Sequence, residues 1–149
     1  MTVLVTGATG FVGSAVARKL LAAGETVRVL ARAGSNRRNI ADLDVELFIG
    51  DLTQVETLAP AVAGCSAVFH VAADYRLWTR YPEEMMRTNI DGSKALIEAA
   101  LDADVDRIVY TSSAAALGIN KDETPADETT PSVLEDMIGA YKRSKFLAE

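Results

Sequence analysis

The sequence predicts a three-layer α/β/α fold in which a doubly wound parallel sheet lies between helices. Three observations support this prediction. Short apolar segments alternate with segments of helical periodicity along nearly the whole chain. Most apolar segments lack regular polar positions, as expected of strands buried on both faces. The length of 149 residues suits one domain, and 49% of the residues are hydrophobic, as in ordinary globular proteins.

Five strands and the first helix follow from this alternation. The first helix follows a glycine-rich turn and ends at Gly24, since glycine is common just after helices. Its apolar side would contain Val12, Val16, Leu20 and Leu21. The strands are expected at residues 2–5, 27–31, 45–49, 67–73 and 107–111.

Later helices are predicted from their apolar spacing. Residues 55–63 have a helical pattern, although Pro60 disfavours one unbroken helix. A long helix is expected over residues 82–103. Its buried side would contain Ile90, Ile97 and Leu101, with Leu96 and Ala100 beside them.

The C-terminal part begins with a loop. Residues 118–131 are rich in Asp, Glu, Thr and Pro. Ser132 and Glu135 have the spacing of a capping box, and helical periodicity then continues to Glu149, interrupted by Gly139. No domain boundary or repeat is visible.

Composition excludes several classes of function. The net charge is −6, and the 15 basic residues form no continuous stripe, which argues against a nucleic-acid partner. The single cysteine excludes an internal disulfide, and the single histidine disfavours a metal site. No apolar run approaches the length of a membrane span, and the N-terminal residues do not resemble a signal peptide, so a cytoplasmic location is expected.

The turn after the first strand has the chemistry of a dinucleotide site. Gly7, Gly10 and Gly13 are spaced G-x-x-G-x-x-G between a strand and a helix. Glycines permit a tight turn and let backbone amides approach a diphosphate at the helix N-terminus. A tight turn without a ligand is the simpler alternative.

The end of the second strand bears on the choice of cofactor. An NAD site usually has an acidic residue here, whereas this chain has Arg32, followed by Arg37 and Arg38. A guanidinium suits a 2′-phosphate, so the sequence favours NADP over NAD. A solvated basic loop is the alternative.

Tyr141 and Lys145 are four residues apart and would share a helix face. A nearby ammonium favours the phenolate of a tyrosine, which can then exchange a proton near neutral pH. Ser112 and Ser113 follow the fifth strand, at the sheet edge where ligands of open parallel sheets bind. Together with the glycine turn, these residues indicate an enzyme site rather than an exposed helix face.

Six motifs in order resemble the N-terminal half of extended short-chain dehydrogenases/reductases, the group that contains the NAD-dependent epimerases and dehydratases. They are TGATGFVG at 6–13, GDL at 50–52, HVAA at 70–73, NIDG at 89–92, YTSSAAALG at 110–118 and YKRSK at 141–145. Segments such as HVAADYRLW are most similar to hopanoid-associated sugar epimerases, with dihydroflavonol-4-reductase-like proteins as close neighbours. The resemblance covers nearly all of the chain.

The resemblance implies roles for individual residues. Ser113 matches the catalytic serine, Tyr141 the acid/base and Lys145 the residue that holds the nicotinamide ribose and tunes Tyr141. Asp51 and Leu52 would border the adenine. The cofactor-binding set is Gly7, Thr9, Gly10, Phe11, Val12, Gly13, Arg32, Arg37, Asp51, Leu52, Ala72, Ala73, Asn89, Thr111, Ser112, Tyr141 and Lys145.

The expected function is NAD(P)-dependent hydride transfer at a secondary alcohol or ketone. A nucleotide sugar is the first expectation for the small-molecule substrate, and a dihydroflavonol- or steroid-type ketone is the alternative. A dinucleotide-binding module without catalysis is the alternative of another class. Members of the resembled family are about twice as long, so residues 1–149 are expected to be an incomplete Rossmann domain, truncated after about five strands and lacking the substrate-binding part. The family also suggests a homodimer.

Overall fold

The computed structural model describes residues 1–120, 122 and 124–149. Strands and helices alternate along the chain as predicted. The strands are β1 (Thr2–Thr6), β2 (Thr26–Ala31), β3 (Glu46–Ile49), β4 (Ala67–His70) and β5 (Arg107–Tyr110). The α-helices are α1 (Phe11–Ala22), α2 (Leu58–Val62), α3 (Pro82–Met86), α4 (Gly92–Asp102) and α5 (Ala140–Leu147).

The residues form two compact units. The first unit contains Met1–Ala73 and Gly92–Thr111, and the second contains Asp74–Asp91 and Ser112–Glu149. All five strands belong to the first unit.

The first unit is built on a parallel sheet with strand order β3-β2-β1-β4-β5. Val5 of β1 pairs with Val29 of β2 on one side and with Phe69 of β4 on the other. The chain thus starts in the centre of the sheet and winds outward in both directions. This confirms the doubly wound fold.

Apolar residues cover both faces of this sheet. On one face, Leu4 and Val68 pack with Leu58 of α2 and Leu96 of α4. On the other face, strand residues such as Val5 and Val29 pack with Ala17 of α1. The buried residues of this cluster are Val5, Ala8, Ala17, Val27, Val29, Ala31 and Ile40. Alternate strand residues face opposite sides, so the largely apolar strands give the sheet two cores.

The fourth strand is shorter than predicted, since it ends at His70 rather than at residue 73. The backbone amides of Val71 and Ala72 donate to the side-chain hydroxyl of Thr6, at 3.2 and 3.1 Å. The chain therefore leaves the ladder where a side chain replaces a backbone acceptor.

The helix predicted over residues 82–103 consists of α3, a π-helical segment at Arg87–Asp91 and α4. The prediction that Leu101 is buried was wrong, because it is 62% exposed, whereas Leu96 and Ala100 are fully buried. The buried residues Asn89, Ser93, Leu96 and Ala100 are three or four positions apart, so the buried face runs through them and Leu101 lies beside it.

Two other helices differ in detail from the sequence pattern. Residues 55–63 form a 3₁₀ turn at Val55–Thr57 followed by α2, which agrees with the expected interruption near Pro60. In α1, Val12 is 54% exposed, and Gly24 has the positive φ of 82° expected after a helix.

The second unit contains α3, α5 and short 3₁₀ turns at Ala114–Ala116 and Leu134–Asp136. The capping box predicted for Ser132 and Glu135 was wrong, because the Ser132 hydroxyl donates to the carbonyl oxygen of Ala116. Gly139 has a φ of 86° and forms the N-cap of α5. The described part of residues 118–131 has no helix or strand, and Lys121 and Glu123 of this loop lie outside the described residues.

We expect Gly13→Ala to destabilise the chain by about 2 kcal/mol or more, because the new Cβ would lie 2.2 Å from the carbonyl oxygen of Gly7. Urea unfolding would measure the change. Gly34→Ala is the control, since a Cβ there meets no atom within 4 Å, and its effect should stay within about 0.5 kcal/mol. Equal effects of the two substitutions would contradict the steric argument.

Candidate functional site

The glycine turn of the first unit brings three backbone segments together. Gly7 has a φ of 73°, and a Cβ on it would lie 2.7 Å from the nitrogen of Ala72. The amide of Gly10 donates to the carbonyl of Gly7 at 2.9 Å, and Gly10 is the N-cap of α1. The backbone of Gly7 thus lies against those of Gly13 and Ala72, and a side chain on either glycine would not fit.

The start of α1 can accept an anion. The first turn of this twelve-residue helix contains no acidic side chain, and its N-cap residue has no side chain to satisfy the first amides. Phe11 and Val12 are both exposed at this end. These are the properties that a diphosphate needs at a helix N-terminus.

A cavity of about 140 Å³ lies beside the turn and is lined by Thr9, Asn36, Arg38 and Asn39. Asn39 is held in place because its side-chain amide donates to the carbonyl oxygen of Thr9 at 2.9 Å. Asn39 was not predicted as a site residue, and Arg38 was predicted only as part of a basic cluster. No motif marks either residue as a site residue.

The two arginines that the sequence analysis assigned to the cofactor do not line this cavity. Arg37 donates to the carbonyl oxygen of Ala33 at 3.3 Å, and Arg32 is exposed. Their roles at the cofactor remain predictions.

Asp51 and Leu52 follow β3 in the same unit. The Asp51 carboxylate accepts hydrogen bonds from the amide and hydroxyl of Thr53, at 2.9 and 2.8 Å. Leu52 is buried, and a Cβ on Gly92 would lie 2.8 Å from the Leu52 Cβ. Gly92 of the NIDG motif therefore gives α4 room to approach the Leu52 side chain.

Ser113 and Tyr141 lie together in the second unit. The Tyr141 hydroxyl donates to Ser113 Oγ at 3.4 Å, a long hydrogen bond. Ser113 Oγ also accepts from the amide of Ala115 at 3.1 Å and so caps the 3₁₀ turn. Both lone pairs of the serine oxygen are used, which leaves its own hydrogen to donate to a substrate oxygen.

Lys145 lies one helical turn after Tyr141 on α5 and is only 3% exposed. Burial lowers the pKa of the Lys145 ammonium, and the carboxylate of Glu149 opposes this shift. A lysine with a lowered pKa changes its protonation state more readily than a solvated lysine.

Asn89 joins the chain after β4 to helix α5 within the second unit. Its side-chain oxygen accepts from the amide of Asp74 at 2.7 Å, and its side-chain nitrogen donates to the Asp74 carbonyl at 2.9 Å. The same nitrogen donates to Ser144 Oγ at 2.9 Å. Ser144 in turn donates to the carbonyl of Tyr141 at 2.8 Å. Asn89 therefore helps to position the helix that carries Tyr141 and Lys145.

The remaining predicted residues have simpler surroundings. The amide of Thr111 donates to the carbonyl of His70 at 2.9 Å, and Ser112 makes a side-chain contact with Glu149. Ala73 is half-buried. Over residues 1–120, 122 and 124–149, no cluster of three or more His, Cys, Asp or Glu side chains could hold a metal ion. Within the same residues, no helix is long and apolar enough to cross a membrane.

The doubly wound sheet, the glycine turn and the Ser–Tyr–Lys set define the class of extended short-chain dehydrogenases/reductases. The chain belongs to the NAD dependent epimerase/dehydratase family, whose sequence profile it matches over residues 3–149. The family predicted from the six motifs is therefore confirmed.

Three similar proteins illustrate the range of this family. A Synechocystis sp. protein named "Putative dihydroflavonol 4-reductase" is 44% identical over 145 residues, which are 97% of this chain and 42% of that protein. The crystal structure of gox2253 is 55% identical and has a TM-score of 0.92, over 99% of this chain and 44% of that one. The structure of the dTDP-glucose 4,6-dehydratase DesIV of Streptomyces venezuelae, with NAD and TYD bound, is 29% identical with a TM-score of 0.85 and covers 99% of this chain and 49% of its own. The chain spans less than half the length of each of these proteins.

We expect the stability of the chain to rise with pH above neutrality more steeply than that of a Lys145→Met variant. The folded state holds the Lys145 proton less tightly than the unfolded state, because burial lowers this pKa. Folding therefore becomes more favourable between the folded pKa and the ordinary lysine pKa, whereas below both values the full burial cost remains.

Urea unfolding at several pH values from about 7 to about 10 would measure this slope. Lys142→Met is the control, since Lys142 is exposed on the same helix. Identical slopes in the wild type and both variants would show that Lys145 titrates like a solvated lysine.

Proposed function

We propose that this chain binds a nicotinamide dinucleotide along its glycine turn and takes part in hydride transfer at a secondary alcohol or ketone. The observation that carries the proposal is the packing of the turn, where a Cβ on Gly13 would lie 2.2 Å from the Gly7 carbonyl oxygen. The turn is supported by backbone alone, so the amides at the start of α1 are left for a diphosphate.

The proposed cofactor is NADP. Arg38, Asn36 and Asn39 line the cavity beside Thr9, and an arginine with two amides provides donors for a phosphate group. Arg32 and Arg37 remain the residues that the sequence assigns to the same phosphate. DesIV has NAD bound, which supports a nicotinamide dinucleotide but not the choice between NADP and NAD.

Three side chains of the second unit would handle the substrate proton. The bound nicotinamide supplies or accepts the hydride. Tyr141 Oη takes the hydroxyl proton when the alcohol is oxidised and returns it when the ketone is reduced. Ser113 donates its hydroxyl hydrogen to the substrate oxygen, and Lys145, one helical turn after Tyr141 on α5, supports Tyr141 in this role. Lys145 is also proposed to hold the nicotinamide ribose.

The substrate class has two candidates. A nucleotide sugar is the sequence prediction, and DesIV acts on such a compound by its name. The identity of 44% to a protein named as a putative dihydroflavonol reductase favours a dihydroflavonol-type ring ketone. We propose to test the ring ketone first, because the DesIV identity is only 29%.

A dinucleotide-binding module without catalysis is the alternative of another class. Such a module has no chemical need for a serine hydroxyl within 3.4 Å of a tyrosine hydroxyl, or for a buried lysine one turn away. The intact set therefore supports an enzyme. The homodimer and the dinucleotide-binding domain at residues 1–149 also remain proposals.

We expect Arg38→Ala to raise the Kd for NADPH about tenfold or more, because it removes a charged donor to the 2′-phosphate. The Kd for NADH should change less than about twofold. Titrations read by nicotinamide fluorescence would measure both values. Arg107→Ala is the control, since this exposed arginine starts β5 and carries the same charge. Tighter binding of NADH than NADPH by the wild type would overturn the NADP assignment.

We expect Tyr141→Phe to reduce kcat by about two to four orders of magnitude, because the variant loses the hydroxyl that exchanges the substrate proton. The measurement is nicotinamide absorbance with a dihydroflavonol and a nucleotide sugar as trial substrates. NADPH binding should stay within about twofold of the wild type, which separates catalysis from cofactor binding. Unchanged turnover would refute the role of Tyr141.

A further inference from the structure

Three buried side chains of the first unit form a hydrogen-bonded chain beneath the glycine turn. Thr6 at the end of β1 contacts His70 at the end of β4, with 2.7 Å between Thr6 Oγ1 and His70 Nδ1. His70 Nε2 lies 2.8 Å from Ser93 Oγ on α4. None of the three side chains is more than 3% exposed.

The position of the protons in this chain follows from the count of donors. The Thr6 oxygen already accepts the amides of Val71 and Ala72. Both of its lone pairs are used, so its single hydrogen must donate to His70 Nδ1. The neutral ring then carries its proton on Nε2 and donates it to Ser93 Oγ.

This chain determines how the glycine turn meets the chain that leaves β4. Gly7 follows Thr6 directly, and a Cβ on Gly7 would lie 2.7 and 2.8 Å from the nitrogen and Cα of Ala72. The Thr6 hydroxyl is thus the group that bonds to Ala72 at the point where two backbones touch. Its orientation depends on the acceptor that His70 provides.

We infer that His70 is a positioning residue for the cofactor site. It orients the Thr6 hydroxyl, which holds the Val71 and Ala72 amides and so sets the spacing between Gly7 and Ala72. The inference rests on the proposed dinucleotide site, and it deepens that proposal by giving a role to a buried side chain that the reaction itself does not use. His70 acts through Thr6, without touching the cofactor.

An ordinary core role for His70 leads to a different expectation. If the ring only filled space, cofactor affinity would follow the stability of each variant. If it orients Thr6, affinity depends on an acceptor at the Nδ1 position, whatever the stability. Leucine and asparagine separate these cases, because leucine fills the core without an acceptor, whereas asparagine keeps an acceptor near Nδ1 but leaves a cavity.

The test compares His70→Leu and His70→Asn in the 149-residue chain, with NADPH and NADH as probes and urea unfolding as the measure of stability. We expect His70→Leu to weaken binding of the preferred dinucleotide about tenfold or more. His70→Asn should bind within about threefold of the wild type although it is the less stable of the two variants. Val68→Ala is the control, because it removes buried volume from β4 outside the hydrogen-bonded chain and should lower stability alone.

A second measurement reads the hydrogen bonds without any cofactor. Amide hydrogen exchange at Val71 and Ala72 should be faster in His70→Leu and Thr6→Val than in Thr6→Ser, which keeps the hydroxyl. The double variant Thr6→Val/His70→Leu should lose no more affinity than Thr6→Val alone, since the effect of His70 acts through the Thr6 hydroxyl.

The outcomes distinguish this inference from the function on which it rests. A wild-type chain that binds neither dinucleotide overturns both. A wild type that binds, with a His70→Leu variant that binds equally well and exchanges Val71 and Ala72 equally slowly, overturns the role of His70 and leaves the cofactor site intact. Affinity that follows stability across all the variants also overturns it.

Discussion

The contact between the backbones of Gly7 and Gly13 is the constraint on which the first unit depends. The first strand must reverse into α1 within a few residues, and the helix must then lie on the sheet. A Cβ on Gly13 would be 2.2 Å from the Gly7 oxygen, and one on Gly7 would be 2.7 Å from the Ala72 nitrogen. The absence of side chains that permits this close packing also leaves the amides at the start of α1 accessible. Glycine at these positions therefore suits both the packing of the turn and the proposed cofactor binding.

The second unit meets a different constraint, the burial of a lysine. Lys145 is 3% exposed, and burial of an ammonium is unfavourable unless something else recovers the cost. Buried ionisable groups with shifted pKa values are often found at functional sites. Asn89 donates to Ser144 Oγ and to the Asp74 carbonyl oxygen, and these bonds help to hold α5, the helix that carries Lys145.

Most of the fold could be predicted because it depends on local patterns. The central strands are largely apolar because both of their faces are covered, and the glycine turn directly follows β1. Three features could not be predicted. The π-helical turn at Arg87–Asp91 has no sequence signature, and Leu101, an apolar residue next to the buried Ala100, was placed on the wrong side of α4. β4 ends early because of a hydroxyl on another strand, and Ser132 bonds to Ala116 rather than capping a helix.

The candidate site was predictable to a similar extent and for the same reason. Motifs identify residues whose chemistry is needed at fixed spacing, such as Tyr141 and Lys145. They do not identify residues that matter only through a long-range contact. Asn39 bonds to Thr9 from thirty positions away. Asn89 belongs to the NIDG motif, but the motif does not show that its side chain reaches Ser144, fifty-five positions later. Such contacts exist only in the folded chain.

The hydrogen bonds between Asn89 and Asp74 lie close to the tryptophan of the chain, which can be followed by fluorescence. Asp74, which Asn89 holds, begins a segment in which Trp78 is 80% exposed, and this is the sole tryptophan of the chain. The emission of an indole shifts to shorter wavelength when water is excluded from it. All tryptophan fluorescence of the 149-residue chain therefore comes from Trp78, four residues after Asp74, which Asn89 links to Ser144 of α5. A molecule that binds over this segment and excludes water from Trp78 would shift its emission to shorter wavelength, so no added fluorophore is needed to detect such binding.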